Sequence, residues 1–183
     1  YTDFSGANLT GANFEGSAIA DGYYGSDSGQ PYPRQVDFTG ADLSGANFFQ
    51  VNLSQTNLTD AVFTNANLSG VNFPNLIQGG TEFNASTYMD YSSLNFSGAN
   101  LSGAYLSNIT AVGTNFNGAD LRGAFINGGD FSNSNFSEVN LSNTNIGKDD
   151  LGQGQGYPLF SGVNFQNSDL SNTVIYADLN NAN

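Results

Sequence analysis

A beat of five residues runs through almost the whole chain and limits what it can fold into. Ala41-Asp42-Leu43-Ser44-Gly45 is followed at once by Ala46-Asn47-Phe48, and the same words return at Ala66-Asn67-Leu68-Ser69-Gly70, Ala99-Asn100-Leu101-Ser102-Gly103 and Ala119-Asp120-Leu121-Arg122-Gly123. A short fixed period marks a solenoid made of one repeated unit. Five matches neither the 3.6 of a helix nor the 2 of a strand. A chain that turns a corner every five residues, however, points the same two residues inward each time. These are the large apolar residue at the centre of the unit and the small residue two places before it. Ser, Gly and Asn, which favour turns, then fall at the corners.

These words resemble the pentapeptide-repeat family, whose pattern is roughly Ala-(Asp/Asn)-Leu-X-X. The likeness covers the chain apart from two inserts and one irregular stretch. It implies an all-β fold, a right-handed quadrilateral β-helix with four repeats per coil. About eight coils at ~4.8 Å each make a rod of about 38 Å. One solenoid domain therefore spans residues 1–183, with inserts at about 20–35 and 147–159 and an irregular coil at about 74–93.

Counting four centres per coil sorts the chain into sides. The first collects Phe4, Phe38, Leu58, Gln78, Phe96, Phe116, Phe136 and Phe165, and the second Leu9, Leu43, Phe63, Phe83, Leu101, Leu121, Leu141 and Leu170. The third holds Phe14, Phe48, Leu68, Tyr88, Leu106, Ile126, Ile146 and Ile175; the fourth holds Ile19, Leu53, Phe73, Tyr91, Ala111, Phe131, Phe160 and Leu179. A column of Phe predicts stacked rings down one side. The many Asn residues are expected to bond backbone at the corners. In this frame the first insert leaves after side four and the second before it. The irregular stretch, with Gln78 at a centre, reads as a bulge or kink.

Composition removes most chemistry. The chain has no Cys, His or Trp, and its net charge of -13 sets 16 acids against Arg34, Arg122 and Lys148. Zinc sites and most general-base arrangements lose their ligands, and no thiol is available for disulfides. Binding to a nucleic-acid backbone lacks the clustered cations it needs. Gly147-Lys148-Asp149 has neither the lead-in nor the Ser/Thr of a phosphate loop, and Gly154-Gln155-Gly156 opens no strand-to-helix turn. Asp149-Asp150 and Asp27-Ser28 lack the ligand spacing of a calcium loop and read as solvated acids. The chain is therefore read as a non-enzyme without cofactor or metal.

No apolar run reaches membrane-spanning length. Tyr1 is not an initiator Met, so the sequence reads as a mature product or a trimmed piece. The lack of Cys and His and the scarcity of Lys are compatible with an exported, periplasmic or thylakoid-lumen protein. Sequons such as Asn8-Leu9-Thr10 are by-products of the repeat.

Binding falls to the outside of the rod. Acids decorate sides one, two and four, whereas side three holds Glu15 and almost nothing else charged. Side three also carries Phe49, Tyr105, Phe125, Val174 and Tyr176 in outward slots that elsewhere hold Asn, Ser or Thr, and Tyr105 and Phe125, one coil apart, should stack. An uncharged stripe with exposed aromatics is an interface signature. The first insert adds Tyr23, Tyr24 and Tyr32, a composition suited to adaptable contacts. The beat runs from Thr2-Asp3-Phe4 to Ala182-Asn183 without a capping helix, and bare coil edges invite pairing. The expectation is a scaffold that binds a protein partner or a second copy, through side three, the Tyr loop or the ends. The resemblance implies a rival. Some family members resemble B-form DNA in size and charge, dimerise, and protect or inhibit DNA gyrase. Against it stand the thin spread of acids and the lack of a C-terminal helical module. Many members, among them numerous cyanobacterial ones, are scaffolds without an assigned role.

Overall fold

The computed structural model of the chain describes residues 2–19, 36–53, 56–71, 73, 92, 94–107, 109–147 and 157–183. Tyr23, Tyr24 and Tyr32, both inserts apart from their edges, and Gln78 with most of the irregular stretch lie outside the described residues.

The five-residue beat is a turn motif. The Asn or Asp before each centre accepts, on Oδ1, the backbone N–H of the residue after the centre. Asn8 takes that of Thr10 at 3.1 Å, Asp42 that of Ser44 at 3.0 Å and Asn100 that of Ser102 at 3.1 Å. The carbonyl of the centre then accepts the N–H three residues on, as from Ala7 to Phe4 at 2.9 Å and from Ala99 to Phe96 at 3.0 Å. The third residue of that turn is left-handed, with φ +66° at Gly45 and +57° at Asn65. A positive φ there defines a type II turn. The chain changes direction, the next small residue enters the core, and Ala41, Ala46, Ala61 and Ala99 are fully buried.

Stacking closes the ladder. The N–H of each centre donates to the next coil, as Leu9 does to Asp42 at 2.8 Å and Phe96 to Asn115 at 2.8 Å. The pairing is parallel throughout. Three two-residue strands, β1 (Thr2–Asp3), β2 (Val36–Asp37) and β3 (Thr56–Asn57), form one sheet. β4 (Phe125–Asn127), β5 (Asn145–Gly147) and β6 (Val174–Ile175) form another. Where the inward small residue is Ser or Thr, its hydroxyl donates to a backbone carbonyl of the preceding coil: Ser134 to Ala111 at 2.6 Å, Thr144 to Leu121 at 2.8 Å. Burying a polar atom there costs little because it is paired.

The pairing corrects the column frame. The ladder runs Asn8, Asp42, Val62, Asn95, Asn115, Asn135, Asn164: seven rungs, with the pairing of Leu159 to Asp178 opening an eighth level. Between Val62 and Asn95 the step is 33 residues, whereas it is 20 from Asp42 to Val62 and from Asn95 to Asn115. Phe63 therefore lies under Phe96, not beside it on another side, and the two rings stack 5.5 Å apart at 16°. The sequence frame spent four centres on residues 74–93 and so displaced every N-terminal coil by one side.

In the observed register column A holds Phe4, Phe38, Leu58, Ala111, Phe131, Phe160 and Leu179, and column B holds Leu9, Leu43, Phe63, Phe96, Phe116, Phe136 and Phe165. Column C holds Phe14, Phe48, Leu68, Leu101, Leu121, Leu141 and Leu170. Column D carries Phe73, Leu106, Ile126, Ile146 and Ile175, preceded by Ile19 and Leu53 as the fourth centres of their coils. The Phe column exists, but it begins at Phe63. Both inserts and the irregular stretch follow a column D centre: Ile19, Phe73 and Ile146. The second insert thus leaves from the same corner as the first, not from the corner before it.

Candidate functional site: the column D flank

Column D is built differently from the other three. On columns A to C the residue before the centre is nearly always Asn or Asp, and the type II corner follows. In the C-terminal half of column D the same slot holds Tyr105, Phe125, Asn145 and Val174, which form one parallel ladder. Tyr105, Phe125 and Val174 have no side-chain acceptor there for the amide two residues on. The backbone instead stays extended past the centre, and the three-residue strands β4 and β5 pair along this face. Asn127 donates its N–H to the Ser107 hydroxyl at 3.4 Å, a bond between coils rather than within one.

The outcome is a flat strip of sheet with large side chains facing out. Tyr105 is 50 % exposed, Phe125 43 %, Val174 50 % and Tyr176 62 %. The rings of Tyr105 and Phe125 lie 4.7 Å apart and 6° from parallel, the stack expected from their spacing. Phe49 is exposed but stands apart, because it follows the column C centre Phe48 two coils toward the N-terminus. It does not join the strip.

Charge is distributed around this strip and not on it. Among the described residues column A carries Asp3, Asp37, Asp60, Asp130 and Asp178, column B Asp42 and Glu138, and column C Glu15, Asp120 and Asp169. Column D carries none. Four of the acids sit below the ordinary carboxylate range. A hydroxyl bond from the following Ser holds Asp3 and Asp42 down, and the backbone N–H of Ser171 does the same for Asp169. At Asp120 the main cause is the Arg122 side chain, whose guanidinium reaches Oδ2 at 2.6 Å. These carboxylates are built into corner turns and are not poised for proton transfer. Among the described residues no group of three or more His, Cys, Asp or Glu could hold a metal ion, and no helix is long and apolar enough to cross a membrane.

Sequence reasoning missed four exposed apolar residues: Tyr157, Leu159, Leu170 and Leu179. Leu159 takes the slot usually given to Asp, pairing with Asp130 on one side and Asp178 on the other. It is legible as an exception to the repeat, although the sequence reading places it at the end of the second insert. Leu170 and Leu179 are ordinary centres, open because no further described coil covers them.

Eight copies of the pentapeptide-repeat model match the chain, over residues 1–19, 34–55, 41–75, 95–133 and 114–148. The chain belongs to the pentapeptide-repeat family, and its coil is the right-handed quadrilateral β-helix of that family. No curated protein matches it in sequence. Among solved structures it is similar to QnrB1, a plasmid-mediated fluoroquinolone resistance protein, at 22% identity over 99% of this chain and 78% of that one, with a TM-score of 0.47. HetL, a pentapeptide repeat protein involved in heterocyst differentiation regulation from the cyanobacterium Nostoc, aligns at 21% identity. That alignment covers 99% of this chain and 80% of HetL, with a TM-score of 0.38. Rfr23 from the cyanobacterium Cyanothece gives 19% identity, 95% and 91% coverage and a TM-score of 0.32.

Proposed function

We propose that this protein is a rigid, non-catalytic scaffold whose binding face is the C-terminal half of column D. The single observation that carries the reading is the acid-free strip of Tyr105, Phe125, Val174 and Tyr176. Elsewhere on the described surface, most slots before the centres of columns A to C are filled by amides and carboxylates engaged in their own turns, with Val62, Thr110 and Leu159 as isolated exceptions. Aromatic side chains held rigid on a sheet lose little entropy on binding and cover a large area, which suits them to be interface anchors. The rod behind them supplies the rigidity, since every strip residue lies one step from a centre packed in the core.

An acidic mimic of duplex DNA is the weaker reading. The described acids are spread over three columns, with Asp3 and Asp37 alone paired in register among them, and leave the fourth bare, whereas a mimic of two phosphate rows calls for paired lines of charge.

The test is the double substitution Tyr105→Ser with Phe125→Ser. Both side chains point outward, so the β-sheet circular dichroism and the melting temperature are expected to change little. Association measured by size exclusion is expected to weaken at least tenfold, the order of one to two lost anchors. Unfolding of the rod would mean that these side chains belong to the core, and unchanged association would place the binding face elsewhere.

A further inference from the structure

The geometry points to a second copy of this chain as the partner of the column D strip, packed face to face and antiparallel about a two-fold axis between the Phe125 and Asn145 rungs. This rests on the strip being the binding face.

Charge selects the partner. A basic protein would be drawn to columns A, B and C, where all the described acids lie, and would gain nothing from column D. A second copy, carrying the same net charge of -13, is repelled from every side that bears acids. Column D is the one described flank along which two such rods approach without setting carboxylate against carboxylate. Like charges brought together across an interface cost several kcal/mol, so the bare strip is where self-contact is least opposed.

Shape and charge together select the arrangement. The strip has four rungs: Tyr105 and Ser107, Phe125 and Asn127, the exposed Asn145 with Gly147 buried beside it, and Val174 and Tyr176. An isologous contact sets residue i against j and j against i. With the rods antiparallel and the axis between the second and third rungs, Tyr105 meets Val174 of the second copy, and Phe125 meets Asn145. On the other line Ser107 meets Tyr176, and Asn127 faces the level of the buried Gly147. Large side chains then face smaller ones, as two sheets packed about 10 Å apart require. Parallel rods, related by an axis along the strip, would set Tyr105 against Ser107 and Phe125 against Asn127 rung for rung, and they would bring every acidic coil alongside its own copy, so charge favours the antiparallel arrangement.

Four rungs make a small interface. Stable pairs use about 20–30 residues a side, so the dimer is expected to be weak, with a Kd between about 10 µM and 1 mM.

The chain has no Cys, so one introduced thiol gives one label. Ala18 is exposed and lies just before the first column D centre, Ile19. A nitroxide on Ala18→Cys would sit 4.5 rungs from the axis. Double electron–electron resonance on the otherwise intact chain is expected to give a distance of about 45 Å, nine steps of ~4.8 Å. The same label in the Tyr105→Ser, Phe125→Ser background is expected to give no dimer signal. A distance under about 20 Å would mean rods packed in parallel and would overturn the antiparallel arrangement. A chain that stays monomeric at about 1 mM would overturn the second copy as partner, and leave the strip as a face for a partner of other chemistry. A dimer signal that survives the double substitution would overturn the strip itself as binding face.

Discussion

Glycine and the carboxylates of the corners set the tolerances at the scale of single residues. Gly103 and Gly129 both have positive φ, +66° and +95°, yet they differ in surroundings. A Cβ on Gly103 would meet nothing within 4 Å, whereas one on Gly129 would lie 2.7 Å from the Ile109 carbonyl oxygen and 3.1 Å from its nitrogen. Gly103→Ala is therefore expected to cost about 1 kcal/mol, the strain of a left-handed alanine alone. Gly129→Ala must also move backbone and should cost about 3 kcal/mol. Urea denaturation of the two variants checks the order. The acids give a second prediction. Asp3, Asp42 and Asp169 titrate below their ordinary value of 3.8, because the turn bonds favour the charged form. A depressed folded pKa contributes stability that is present above the unfolded value and is lost as pH falls through the folded one. The melting temperature should therefore drop below about pH 4. The triple change to Asn, the residue that caps the same corner at Asn95 and Asn100, should shallow that drop. Melts from pH 7 to 3 measure it.

At the scale of elements, the corner after column D is the one the fold leaves free. Corners on columns A to C combine an Asx bond, a type II turn and stacked amides, such as Asn67 Nδ2 to Asn47 Oδ1 at 2.9 Å and Asn115 to Asn95 at 3.2 Å. The column D corner of the C-terminal half has only its strand pairing and the bonds of the Ser107 hydroxyl, and all three interruptions of the repeat follow a column D centre. A ten-residue Gly/Ser insert after Asn127, the residue paired with Gly147 at the edge of the second insert, is expected to lower stability by under 1 kcal/mol, since loop closure grows slowly with length. The same insert after Leu101 breaks the turn bond from Ala104 to Leu101 and the Asx bond from Ser102 to Asn100 and should cost about 2 kcal/mol or more. Thermal melts of the two insertion variants decide this. The same corner marks what the sequence hid. The period, the inward pair and the Asx corners were readable, because each repeat states them again. The register across residues 74–93 was not, because Phe83, Tyr88 and Tyr91 fall near the beat there and Gln78 fills the fourth place, so the stretch imitates four centres. One signal was available. Ala66-Asn67-Leu68-Ser69-Gly70 and Ala99-Asn100-Leu101-Ser102-Gly103 are the same word 33 residues apart, and they stack directly, Asn67 on Asn100. Tyr105, Phe125, Val174 and Tyr176 came out together even in the wrong frame, because all lie C-terminal to the slip. Phe49, N-terminal to it, did not.

For the whole molecule, the decisive property is a rod with three acidic flanks and one that is bare and aromatic among the described residues. Two such rods repel at long range and attract only at contact. Salt screens the first term and leaves the second, since the Debye length falls from about 30 Å at 0.01 M to about 10 Å at 0.1 M. A complex with a basic partner would respond to salt in the opposite sense. The most direct measurement is the solution mass by light scattering, followed over protein concentration at 10 mM and 300 mM salt, for the intact chain and for Tyr105→Ser, Phe125→Ser. The account predicts a mass that climbs from monomer toward dimer with concentration, more steeply at high salt, in the intact chain alone. A mass that is flat in both proteins, or that climbs equally in both, would contradict it.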